Sequence, residues 1–175
     1  MSIVSLARVP EIVQGAGALE TLGQTLSGRV PPGSAVLLVA DPGLRDAGFI
    51  DMASASLAAA GFGVVLFSDI KSDPTMAQVD AATAVARREQ ATAVVALGGG
   101  SAMDVGKTIA GIAGGGAGAA HYGLCANPFP ATRLYSVCVP TTSGTGSEAT
   151  RTAVLADASH AKVWLWGDEL KPALI

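Results

Sequence analysis

Four short apolar runs alternate with stretches of helical pattern, and each run ends in residues that turn the chain. The runs are "SAVLLVAD" (34–41), "GVVLFSDI" (63–70), "TAVVALGG" (92–99) and "RLYSVCVPTT" (133–142). Between them lie "FIDMASASLAAAG" (49–61), closed by Gly61, "PTMAQVDAATAVARREQ" (74–90), with Pro74 in its first turn, and "SAMDVGKTIAGIA" (101–113). Strand-length runs rich in β-branched residues, separated by helices, require β-α-β units. The expected fold is therefore α/β: a parallel sheet with helices on both faces and right-handed crossovers. Ligands of such sheets bind beyond the carboxyl ends of the strands. The loops at Asp41-Pro42, 72–74, 98–101 and 141–146 all fall at such ends.

After Glu148 the pattern changes. Two alternating runs, 152–156 and 162–166, flank "DASHA" and predict an antiparallel hairpin whose edges are open to pairing with a second chain, so a homo-oligomer is possible. The closing "PALI" reads as the start of another strand. The glycine-rich stretch 113–123 reads as a loop.

Half of the 175 residues are hydrophobic and 14% are charged, a composition that suits strands buried on both faces. The net charge of -3 and the lack of a basic block argue against a nucleic-acid partner. No apolar run approaches the roughly 18 residues of a membrane span, and the start has no secretory pattern. Cys125 and Cys138 form no C-x-x-C pair, and they read as reduced, structural thiols of a cytoplasmic protein.

"VALGGGSAMDVGKTIA" (95–110) carries the chemistry. A Walker A loop does not fit, because five residues separate Gly100 from Gly106 where that motif has four. The dinucleotide fingerprint G-x-G-x-x-G/A fails as well, with Met103 at its third glycine position. A formal match at Gly114, Gly116 and Ala119 follows a helix rather than a strand. The physics remains: glycines at a strand-to-helix turn permit close backbone approach, and free N–H groups at 101–103 would point at an anion such as a pyrophosphate. Ser101 reads as the N-cap, with Asp104 in the place of a capping-box acid. Lys107 then reads as the solvent-exposed partner of Asp104. A second stretch, "PTTSGTGSEAT" (140–150), is rich in hydroxyls and suits a phosphate or a ribose, or is a flexible polar loop.

Together the two stretches resemble the iron-containing alcohol dehydrogenase family. "GAGALETL" (15–22), the segment 37–75, "HYG" (121–123) and "AKVWLWGDELKP" (161–172) extend the resemblance over essentially the whole chain. It implies a Rossmann-like nucleotide-binding domain over residues 1–175, followed in the family by an all-helical domain that holds the metal. It implies NAD as cofactor, with Gly99, Gly100, Ser101, Ala102 and Met103 around the pyrophosphate. Asp104 would support the glycine loop, and Thr141, Thr142 and Thr145 would line the ribose and nicotinamide end. Lys162 would bond a ribose, and Asp41 the adenosine ribose. Asp73 replaces an asparagine common in the family, which leaves the 72–74 contact open. The family's metal ligands, an aspartate and three histidines, have no counterpart here. His121 and His160 sit in separate loops without ligand-spaced partners. The expectation is the cofactor domain of an enzyme that interconverts an alcohol and an aldehyde or ketone by hydride transfer. A divalent iron or zinc would belong to the helical domain, and residues 1–175 alone would be inactive. Two alternatives stay open: an NAD- and metal-dependent synthase or lyase of the dehydroquinate-synthase-like fold, or a non-catalytic nucleotide-binding module.

Overall fold

The structure, a computed structural model, describes residues 10–175. Four parallel strands form the central sheet: β1 (Ala35–Ala40), β2 (Gly63–Phe67), β3 (Ala93–Gly98) and β4 (Tyr135–Pro140), in spatial order β2-β1-β3-β4. The inner strands are covered on both sides, and every residue of β3 is buried. Alternation along β1 divides the core in two, as the twofold period of a strand demands. Val36, Leu38 and Ala40 face α1 (Leu22–Ser27) and α2 (Phe49–Ala59), whose Leu22, Leu26, Ile50, Ala53 and Leu57 complete one layer. Leu37 and Val39 face α3 (Met76–Arg88) and α4 (Gly100–Ile112), with Val79, Ala82, Val105 and Ile109 in the other. Helices therefore cover both faces, as expected.

Element boundaries follow local chemistry. α3 starts at Met76 rather than Pro74 because Thr75 caps it reciprocally. Its hydroxyl accepts from Gln78 N at 3.2 Å, and Gln78 Oε1 accepts from Thr75 N at 2.9 Å. β2 ends at Phe67, short of the expected 70, and Ile70 is buried in irregular chain.

The hairpin forms as β5 (Thr152–Ala156) and β6 (Lys162–Trp166), with Thr152 opposite Trp166. Ala153, Leu155 and Leu165 pack into the α3–α4 layer. Asp157 organises its turn by accepting from Ser159 N, Ser159 Oγ and Ala161 N at 2.7–3.0 Å. One expectation is corrected here: the outer edge of β5 is not open. Val154 N donates to Asp104 Oδ2 at 3.0 Å and Ala156 N to Pro74 O at 2.8 Å.

The closing residues do run as a strand-like extension beside β4. Ala173 N donates to Ser136 O at 2.7 Å and Cys138 N to Leu174 O at 3.0 Å. Glu11 then bridges Leu174 in parallel on the far side. No described helix is long and apolar enough to cross a membrane.

Candidate dinucleotide site

The glycine turn joins β3 to α4. Gly98 has φ +150°, and a Cβ there would lie 2.8 Å from Ala102 Cβ and 3.0 Å from Asp41 Cβ. Backbone conformation and space both demand glycine at this position. Gly99, with extended backbone, is the N-cap residue of α4, and no side chain caps that end. Ser101 is thus not the cap. Its hydroxyl donates instead to Ser72 O at 2.7 Å, tying the glycine turn to the loop after β2. The expected free amide at Met103 is also corrected, because Met103 N donates to Gly99 O at 3.1 Å. The amides left without helical acceptors are those of Gly100, Ser101 and Ala102, at the positive end of a 13-residue helix. Ala102 and Met103 are buried, so the exposed part of the turn is Gly99, Gly100 and Ser101.

The second stretch folds against the first. A Cβ on Gly99 would stand 3.4 Å from Thr142 Cγ2, and one on Gly100 3.3 Å from Thr145 Cγ2. Thr141 N donates to Gly98 O at 3.0 Å. Thr142 and Thr145 therefore border the same few backbone atoms that carry the unpaired amides.

Asp104 and Lys107 set this arrangement, in a way opposite to the capping and solvent-exposed roles read from their spacing. The Lys107 side chain is fully buried. Its Nζ donates to Thr152 O at 2.6 Å and Ser147 O at 2.8 Å, and lies 3.2 Å from Asp104 Oδ1. Asp104 caps nothing on its own helix. Its Oδ1 accepts from Ser147 Oγ at 2.6 Å and its Oδ2 from Val154 N. Two side chains one turn apart on α4 thus pin both the polar loop and the hairpin. Lys107 has three ammonium protons and three close acceptors, so it is not a phosphate-binding lysine. α4 is buried nearly all round, which is the sequence-level sign that a lysine on it must face a partner.

Asp41 closes the carboxyl end of β1. Its Oδ1 accepts from Gly43 N at 2.9 Å and so caps the short turn Pro42–Leu44. A small cavity of about 170 Å³ opens where Ser101, Asp73, Val154 and Lys162 meet. Lys162 Nζ stands 3.2 Å from Asp73 Oδ1, and both side chains are about two-thirds exposed. Such an exposed pair is held weakly and leaves the lysine able to turn to another acceptor.

A larger cavity, about 510 Å³, lies elsewhere, between residues 12–25 and the far flank of β4. Its walls are mainly apolar, and the buried Glu148 Oε2 has no hydrogen-bond partner. An unpaired carboxylate oxygen repels a pyrophosphate, so size does not decide here; the unpaired amides do. Cys138 packs with Ala96 and Met103, and burial pushes its thiol up to about 12, with the nearby Lys107 opposing the rise. It is inert at neutral pH. Among the described residues no three His, Cys, Asp or Glu side chains gather to hold a metal ion. His121 packs edge-on against Tyr122 and accepts at its backbone carbonyl from Asn127 Nδ2.

An open parallel sheet with an anion-ready helix start, bordered by hydroxyls, defines the class of α/β nucleotide-binding proteins. Over residues 10–175 the chain matches the model of the iron-containing alcohol dehydrogenases, and it belongs to that family. It is 34% identical to the choline dehydrogenase of Bacillus subtilis over 158 residues, 85% of this chain and 37% of the relative. It is 37% identical to the 1,3-propanediol dehydrogenase of Klebsiella pneumoniae, over 81% of this chain and 36% of the relative. Among solved structures, the sulfoacetaldehyde reductase of Bifidobacterium kashiwanohense in complex with NAD+ superposes with TM-score 0.88 at 26% identity, covering 99% of this chain and 46% of that one. The NADH-dependent butanol dehydrogenase A of Thermotoga maritima gives 0.90, also at 26% identity, covering 99% and 44%. The chain spans less than half the length of these relatives.

Proposed function

We propose that residues 1–175 form the dinucleotide-binding domain of a cytoplasmic oxidoreductase that takes NAD and interconverts an alcohol and an aldehyde or ketone. The observation that carries the reading is the set of unpaired amides at Gly100, Ser101 and Ala102, bordered by Thr142 and Thr145. These residues fit the group: three N–H donors and a helix dipole receive a pyrophosphate, and the absence of Cβ atoms at Gly99 and Gly100 lets it approach the backbone. Thr142 and Thr145 add hydroxyl donors beside it, Thr141 stands next to them in the same loop, and Lys162 reaches from β6 toward a ribose. Asp41 accepts from the adenosine ribose, and Asp73 lies on the adenine side. When bound, the nicotinamide supplies the hydride acceptor. The residues described here hold and orient it. An NAD-bound and several alcohol- or aldehyde-directed relatives support this reading. The family's divalent metal, iron or zinc, has no ligand set among the described residues.

Calorimetric titration with NAD tests the assignment. Wild type binds; Gly100→Val, whose side chain fills the space facing Thr145, does not, while its circular dichroism stays that of the wild type. Unchanged affinity in the folded variant would sink the pyrophosphate assignment.

A further inference from the structure

We propose that the amino end of the sheet carries a second anion site, which takes a small phosphate monoester and is separate from the dinucleotide. The proposal stands independently of the NAD reading. A cavity of about 420 Å³ opens where the chain enters β3 and β4, with Thr92 and Tyr135 on its wall. That volume falls in the roughly 300–1,000 Å³ range of small-molecule sites. β4 runs from this cavity to Pro140, which pairs with Gly98 of the glycine turn. A strand of that length spans about 17–20 Å, so the two sites lie at opposite ends of the sheet.

Charge singles the cavity out. The chain has a net charge of -3 and only 11 lysines and arginines. Three of them, Arg29, Arg133 and Lys171, line this cavity, and no aspartate or glutamate does. Two of the three are held by acids outside the lining. Glu11 accepts from Nε and Nη2 of Arg29, and Asp168 Oδ1 stands 3.2 Å from Lys171 Nζ. The Arg29 and Lys171 side chains are only 26% and 15% exposed, so both cations are fixed in place rather than waving in solvent. Arg133 differs. Among the described residues it pairs with no carboxylate and donates once, from Nη1 to Asp168 O at 3.1 Å. A guanidinium has five N–H donors, so four remain for a ligand.

Ser136 stands on the same wall, and its hydroxyl has no hydrogen-bond partner among the described residues. An arginine with spare N–H groups, two further cations and a hydroxyl match a phosphate monoester, which carries close to two negative charges and three acceptor oxygens. A carboxylate is planar and singly charged, and it uses fewer of these donors. Val30 and Leu134 supply an apolar side for the body of the ester.

The test titrates the chain with inorganic phosphate, phenyl phosphate and, as a carboxylate control, succinate. Amide chemical shifts locate the binding, and calorimetry measures it, with and without saturating NAD. The expected shifts fall at Thr92, Arg133, Leu134, Tyr135 and Ser136, phenyl phosphate binds more tightly than phosphate, and NAD changes neither. Arg133→Ala, an exposed position, keeps the circular dichroism of the wild type and loses about tenfold or more in phenyl phosphate affinity. Lys171→Gln weakens binding as well. Arg88→Ala removes a cation of the same charge from the exposed end of α3 and leaves the affinity within about twofold. The proposal is overturned if these amides do not move, if succinate binds as tightly as phenyl phosphate, or if NAD displaces the phosphate. Unchanged affinity in Arg133→Ala, or an equal loss in Arg88→Ala, overturns it too. Failure of the chain to bind NAD would count against the dinucleotide reading alone.

Discussion

Replacing Lys107 by methionine keeps the volume and the apolar stem but removes the ammonium that joins α4 to Ser147, Thr152 and Asp104. A buried carbonyl and a half-buried one lose a donor, and a carboxylate loses its counter-charge. Breaking a buried pair by removing one partner costs about 3–5 kcal/mol. The Asp104 side chain is 15% exposed and keeps its bonds to Ser147 Oγ and Val154 N, so the lower end applies, about 3 kcal/mol. For a chain of this size each kcal/mol moves Tm by about 2–4 °C, which gives a fall of about 6–12 °C. The effect extends to the ligand: with Ser147 O no longer held by Lys107, the turn that sets Thr145 beside Gly100 is less firmly fixed, and NAD affinity falls with stability. The charge argument has its own check. Adding Asp104→Asn to Lys107→Met removes the stranded carboxylate and recovers stability instead of compounding the loss. Melting curves of the three proteins, with NAD titrations on each, read both effects. A fall of less than about 2 °C for Lys107→Met, or a double variant less stable than the single one, would refute the account of a buried charge clamp.

Two further outcomes follow from the core and the hairpin. Under native conditions at mildly alkaline pH, a thiol reagent modifies the exposed Cys125 promptly, and Cys138 reacts only after denaturation; equal reactivity of both would contradict the burial of Cys138. Asp157 is held below the usual carboxylate range, first by the Ser159 hydroxyl and then by the backbone N–H groups of Ala161 and Ser159. Its contribution to stability is therefore complete above the ordinary aspartate pKa and disappears as pH falls through the lower folded value. The difference in Tm between wild type and Asp157→Ala should hold steady from neutral pH down to the carboxylate range and close below it; a difference independent of pH would reject this role.

Much of the fold was readable because β1 and β3 are apolar runs bounded by turn residues and alternate with longer stretches of helical pattern. The same local logic located the two stretches of the site, since strand ends in parallel sheets are where ligands bind. It failed where distant chain decided the outcome. Ser101 looked like a cap by spacing, yet extended Gly99 takes that position and a carbonyl 29 residues away, that of Ser72, takes the hydroxyl. Asp104 and Lys107 have helix spacing that fits a surface pair equally well. Only the return of residues 147–154 onto α4 buries the lysine, and nothing local in the sequence encodes that return. The β5 edge looked open for the same reason, because its partners, Asp104 and Pro74, lie far away in the chain.

The central claim is that a dinucleotide sits on the first turn of α4. Amide chemical shifts recorded by NMR during NAD titration test it residue by residue. The largest changes are expected at Gly99, Gly100, Ser101 and Ala102, with smaller ones at Asp41, Thr142 and Thr145 and little at Ile12, Val13 or Leu174. Shifts concentrated instead at the residues lining the apolar cavity around Glu148, with the glycine-turn amides unmoved, would contradict it.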